Sequence, residues 1–220
     1  MAKNNCGKPF NLVVMTEDRI LSGANYMVRQ LFQSLRRHCL RVAESQVAND
    51  GPSTRQDAAL CIILSVQCVE GFFNVFFRVL IDEPAYAHAA NKIGTELSKT
   101  NFGLDKKIKD WPLLAFGQKI LLDRGAGQKF ITLKNFRHQL MHFKSTHETF
   151  AIPGVALHGL TDTSAYHALS ANAALEALHT AEEFICEVFR LRGIPPEDFP
   201  HALHAWTGRP PIWASSSPAF

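Results

Sequence analysis

"AALCIILSVQCVEGFFNVFFRVLI", residues 58–81, decides the fold. Its apolar residues fall on every side of a helix, so a helix here needs cover on several faces. Gln67, Glu70, Asn74 and Arg78 interrupt the run. A membrane span would bury Glu70 and Asn74 near its middle, which costs several kcal/mol, so no membrane is expected. The expected element is a core helix over about residues 54–81, at the centre of a bundle or a dimer interface. Asp82, Glu83 and Pro84 end it.

Other helical patterns flank this one. Thr16 is a good N-cap, followed by Glu17 and Asp18 in a first turn. Ile20, Ala24, Met27, Leu31, Leu35, Cys39 and Val42 then step along one face to about Gln46. A shorter helix is expected over residues 85–99. Pro112 and two glycines punctuate the following segment. A further helix covers about residues 130–144, then an irregular connection, 145–162, holds Pro153 and Gly154. Asp162 or Thr163 caps a last helix, with Leu169, Leu175, Leu178, Phe184, Ile185 and Val188 inward, and Gly193 and Pro195 stop it near Arg192. The expected fold class is an all-α bundle.

The last 28 residues hold six of the eleven prolines, with Trp206 and Trp213. They read either as a tail or as a strap along the bundle, so the chain divides into a helical domain, 1–192, and a Pro-rich tail, 193–220. At 220 residues, 46% hydrophobic and 20% charged, the chain has material for one sizeable core, and wholesale disorder is excluded. The apolar run at residues 12–15 is too short for the core of a signal peptide. Five scattered cysteines form no CxxC pair, which argues against a disulfide framework or a cysteine-rich zinc site. A reducing, cytoplasmic setting fits. Net charge is +3, yet residues 99–144 hold ten Lys/Arg against three Asp/Glu. This excess is either a solvated surface or a patch that attracts phosphates.

The chemistry concentrates in "NFRHQLMHFKSTHE", residues 135–148. His138 and His142 stand four apart and share a helix face. The spacing resembles HExxH, but Gln139 stands where a zinc protease needs a basic carboxylate. A structural metal site with His147 as third ligand is a weaker alternative, and no metal or other cofactor is expected. Arg137 with His142 suits RNA cleavage by the ribose 2′-OH: histidine moves the proton and arginine stabilises charge on the phosphate. Residues five apart lie roughly 140° apart around a straight helix. The two therefore meet only if the helix ends near His142 or a second subunit completes the site. Otherwise Arg137 and His138 are surface residues and His142 caps the helix.

Arg137-His138-Gln139-Leu140-Met141-His142 resembles the R-x(4–6)-H signature of the HEPN superfamily, the higher eukaryotes and prokaryotes nucleotide-binding domains. "SVQCVEGFFNVFF" is also similar to the apolar helix with a polar notch in these proteins, and the likeness covers about residues 16–192. The resemblance implies a four- to five-helix bundle that dimerises around two copies of the motif. It implies a metal-independent endoribonuclease acting in a toxin–antitoxin or phage-defence setting, with RNA as substrate and an antitoxin or defence protein as a possible partner. The alternative is a non-catalytic module binding RNA, nucleotide or a partner protein. Arg137 and His142 match the catalytic positions, and His138 stands where the family often has Asn. Lys144 stands where an adenylylated subset of toxins carries tyrosine, so that modification is not expected. Glu70, a carboxylate in an apolar helix, is an auxiliary candidate: it either orients Arg137, or faces solvent, or pairs with Arg78.

Overall fold

A computed structural model of the protein describes residues 14–16, 19–21, 23–99, 102–142, 149–158 and 162–210. Helices dominate: α1 (Tyr26–Val47), α2 (Gly51–Leu80), α3 (Ala87–Leu97), α4 (Leu104–Phe116), α5 (Gly125–Met141), α6 (Ser164–His167), α7 (Ala171–Arg192) and α8 (Phe199–Thr207). The all-α class holds. Two small antiparallel hairpins accompany the helices, β1 (Val14–Thr16) with β2 (Arg19–Leu21), and β3 (Thr149–Ile152) with β4 (Val155–His158).

The chain forms two compact units. One comprises Met1–Leu31, Glu70–Lys119 and Val188–Phe220; the other comprises Phe32–Val69 and Ile120–Glu187. Helices α1, α2 and α7 contribute a segment to each.

The first unit is built on the aromatic half of α2. Phe72, Phe73, Phe76 and Phe77 are all buried, each contributing roughly 2–3 kcal/mol of apolar transfer. Phe77 meets Trp111 of α4 at 5.5 Å and Phe116 at 5.8 Å between ring centroids. Phe72 and Phe76 meet Trp206 of α8 edge-on at 5.5 and 5.3 Å. The described part of the C-terminal segment is a 3-10 turn, Pro196–Asp198, and a short helix, α8, whose Trp206 packs on these rings. Trp213 lies outside the described residues. Among those residues α2 is the one helix long and apolar enough to cross a membrane, and its phenylalanines are buried within the protein.

Pro112 sits inside α4, and its missing N–H leaves the Ile108 carbonyl without its usual helical partner. The helix continues because Trp111, Pro112 and Ala115 are buried together on its inner face. Gly117, at φ 69°, ends it by donating to the Leu113 carbonyl.

Several expected boundaries and connections differ. Thr16 pairs with Arg19 in the first hairpin, and α1 begins only at Tyr26. Its buried stripe is Val28, Phe32, Leu35 and Val42, leaving Met27 60% exposed. Phe32 has more apolar area to hide than Met27, and it sets the phase. The connection after α5 is partly regular: Pro153 and Gly154, the latter at φ 87°, turn β3 into β4. The last long helix is divided as well. Asp162 accepts from the Ser164 N–H at 2.9 Å to start the single turn of α6. Ser170 Oγ then accepts from the Ala173 N–H at 3.3 Å to cap α7. Leu175, expected inward, is 47% exposed.

The second unit packs the rest of α1 and α2 with α5 and α7 elements. Phe130 of α5 stacks on Phe184 of α7 at 4.3 Å. Arg36 donates to the Glu182 carboxylate at 2.7 Å, so the buried acid is paired.

Candidate functional site

Helix α5 carries the histidine-rich stretch, and two glycines place its start. Gly125 adopts φ 59°, a conformation that a side chain disfavours. Gly127 is buried against the Leu121 carbonyl, which occupies the space a Cβ would need. The helix therefore begins at Gly125, earlier than the expected 130, and ends at Met141, short of 144.

Buried positions along α5 are Gly127, Phe130, Leu133 and Leu140. Arg137 completes this spacing, seven residues after Phe130 and three before Leu140, so it belongs to the inward stripe. It is half-buried, and its Nε is enclosed without a hydrogen-bond partner. Such a donor is expensive to leave unmade. Arg55 Nε is in the same state, so an orphaned nitrogen alone does not mark a site.

His138 and His142 differ from their neighbour. Both are exposed, and their rings lie side by side with centroids 4.5 Å apart. His142 is the C-cap: its N–H donates to the His138 carbonyl at 2.9 Å, and its backbone, at φ −126° and ψ 75°, has left the helix. The helix thus ends at the motif histidine, and the two imidazoles occupy its open end.

Glu70 lies in the first unit, where its carboxylate accepts from Lys107 Nζ at 3.1 Å. Lys107 is a partner that the sequence reading did not name. It is 7% exposed and also lies over the Trp111 ring at 5.8 Å. The same tryptophan donates Nε1–H to buried Glu96 at 2.8 Å. The local signal for Lys107 was its place in the Leu104–Ile108–Trp111 face of α4, where a lysine stem can lie along apolar surface.

The basic excess is spread over both units. Lys107 is spent on Glu70, and Lys129 pairs with Glu183 at 2.9 Å. Lys99, Lys109, Lys119 and Arg124 are exposed. Lys144, Phe143 and His147 lie outside the described residues. Among those that are described, no three His, Cys, Asp or Glu side chains cluster as metal ligands would.

A cleft of about 300 Å³ runs along α5 in the second unit, lined by Thr132, Leu133, Phe136, Glu176, Ala177 and Thr180 among others. Arg137, His138 and His142 do not line it.

No protein-family model matches the chain, and neither a curated protein nor a solved structure matches it.

Proposed function

We propose that the chain is a metal-independent, HEPN-like endoribonuclease that works as a homodimer. The observation that carries this reading is the exposed His138–His142 pair at the end of α5, next to an arginine with an unsatisfied Nε. Transesterification of RNA needs a base for the 2′-OH and an acid for the departing 5′-oxygen, and two adjacent imidazoles can supply both. The 2′-oxygen attacks phosphorus as one imidazole takes its proton. The 5′-oxygen leaves with a proton from the other, giving 2′,3′-cyclic phosphate and 5′-hydroxyl ends. Arg137 supplies the positive charge that the phosphorane oxygens require.

Arg137 belongs to the inward stripe of α5 whereas His142 is exposed just past its end, so this reading has to bring the two to one phosphate. A second copy that sets its Arg137 beside the first chain's His142 resolves this, and light scattering on the purified protein tests it. The inward arginine also supports the second reading, a non-catalytic module that binds RNA, nucleotide or a partner protein. A toxin or phage-defence setting belongs to the first reading.

The discriminating experiment is incubation with total RNA in excess EDTA. The catalytic reading expects cleavage with 2′,3′-cyclic phosphate ends, lost in both Arg137→Ala and His142→Ala and reduced in His138→Ala. RNA binding without cleavage, unchanged in those variants, favours the binding module.

A further inference from the structure

We propose that Cys39 of α1 and Cys61 of α2 form a redox-sensitive dithiol, which a peroxide converts to a disulfide. Their sulfur atoms lie 3.6 Å apart, in hydrogen-bond contact. A disulfide needs about 2.05 Å, so closure asks the sulfurs to approach by roughly 1.5 Å. Both residues belong to the second unit, in two helices joined by the short connection Ala48-Asn49-Asp50. His38 and Asp57 pair at 2.7 Å across the same two helices, beside Cys39 and one turn before Cys61. The fold therefore holds the thiols in register.

The two cysteines have different roles. Cys39 is half-buried, whereas Cys61 is fully buried, so a small oxidant meets Cys39 first. The hydrogen bond with Cys61 holds the Cys39 pKa below that of an ordinary thiol against the opposing effect of burial, while the Arg36 charge, which lowers it, is offset by its partner Glu182. Cys61 is pushed up by the same hydrogen bond and by burial, so it stays a thiol until needed. Cys68 is buried and raised as well, chiefly by burial, which leaves it inert.

The step balances with a hydroperoxide as oxidant. Cys39 thiolate attacks one peroxide oxygen, the O–O bond breaks, and Cys39 becomes a sulfenic acid as the other oxygen leaves as water or alcohol. Cys61 sulfur then attacks Cys39 sulfur, the S–O bond breaks, and the hydroxyl departs as water with the Cys61 proton. Two thiols lose two hydrogens, and the peroxide is reduced. The product staples α1 to α2 and restricts the unfolded chain, so the oxidised protein should melt higher than the reduced one.

The test uses the full reduced chain, titrated with hydrogen peroxide under native conditions, then alkylated in denaturant and weighed. The expected product is lighter by about 2 Da before alkylation, carries two fewer alkyl groups, and reverts with dithiothreitol. Fragmentation should join Cys39 to Cys61. The link should vanish in Cys39→Ser and persist in Cys68→Ala. A gain of about 16 or 32 Da at Cys39 with Cys61 still open to alkylation, or a link to any other cysteine, overturns the proposal. If Cys39→Ser fails to fold, fragmentation of the oxidised wild-type chain decides alone.

Discussion

The half of the molecule around Trp111 and the end of α5 treat their polar groups in opposite ways. In the first unit the buried cation and the buried acid are both engaged, Lys107 by Glu70 and Glu96 by the Trp111 indole. At the end of α5, in the second unit, two imidazoles stand in the open and an arginine Nε is enclosed without a partner. Satisfied polar groups inside an aromatic core serve that core. An exposed imidazole contributes little to folding and an enclosed donor without a partner opposes it, so neither residue type is there for the fold. If the contrast is real, substitutions in the first region should cost stability, and those in the second should cost only activity.

The largest effect is expected inside the aromatic core. Phe77→Ala removes a fully buried ring that meets Phe73, Phe76, Trp111 and Phe116. It should lower stability by about 3–5 kcal/mol, measured by urea unfolding. Gly127→Ala is the matching change in the second unit, since its new methyl collides with the Leu121 carbonyl and displaces the start of α5. A mild effect there would mean that α5 is less firmly held than its packing implies.

Much of this was legible in the sequence, and the misses have physical causes. Residues 58–81 read correctly as a largely buried helix because their apolar run exceeds any strand's length and leaves only the narrow polar stripe of Gln67, Glu70, Asn74 and Arg78. The start of α1 was missed because Thr16 carries the chemistry of a cap whether or not a helix follows; here a hairpin does. Gly125 and Gly127 drew no expectation, yet one of them starts α5 and the other lets it pack, because a positive φ and a close backbone approach leave no local signature. Within the site, the four-residue spacing of His138 and His142 does bring their rings together, although His142 lies just past the helix end. The place of Arg137 in the Phe130–Leu133–Leu140 stripe was legible in the spacing but was passed over, because a charged side chain reads as a surface residue. The approach of Cys39 to Cys61 was invisible. It depends on how two helices pair, and no local spacing encodes that.

A middle-sized effect is expected at Glu96. Glu96→Ala leaves the buried Trp111 N–H without an acceptor and should cost about 1–3 kcal/mol. Glu96→Gln keeps an acceptor oxygen in place and should recover most of the loss. Equal damage from both variants would show that the negative charge matters more than the hydrogen bond.

A smaller effect is expected at Asp50. Its carboxylate accepts from the Ser53 N–H at 3.1 Å at the start of α2, and bonding to Ser53, with a minor attraction to Arg55, holds its pKa below the ordinary 3.8. A depressed carboxyl contributes stability that is present above the unfolded value and lost as pH falls through the folded one. Asp50→Ala should therefore melt about 1–3 °C lower at neutral pH. The gap should close as acid protonates the wild-type carboxyl. A gap that persists in acid would assign the effect to helix propensity rather than to the ionised cap.

The smallest change in stability, and the one that most directly tests the contrast, is expected at the motif itself. His142→Ala removes an exposed ring that the fold does not use, so its unfolding midpoint should match that of the wild type within about 0.5 kcal/mol. Arg137→Met keeps the aliphatic stem against the inward stripe and deletes an enclosed donor that has no partner. It should be neutral or stabilising, as replacement of unsatisfied buried polar groups by apolar ones often is. If both variants fold as well as the wild type yet lose RNA cleavage, these residues are held in place at the expense of stability, for chemistry. If Arg137→Met instead destabilises strongly, the arginine contributes to the core. The end of α5 would then be ordinary packing, and the difference between the two regions would no longer point to a site.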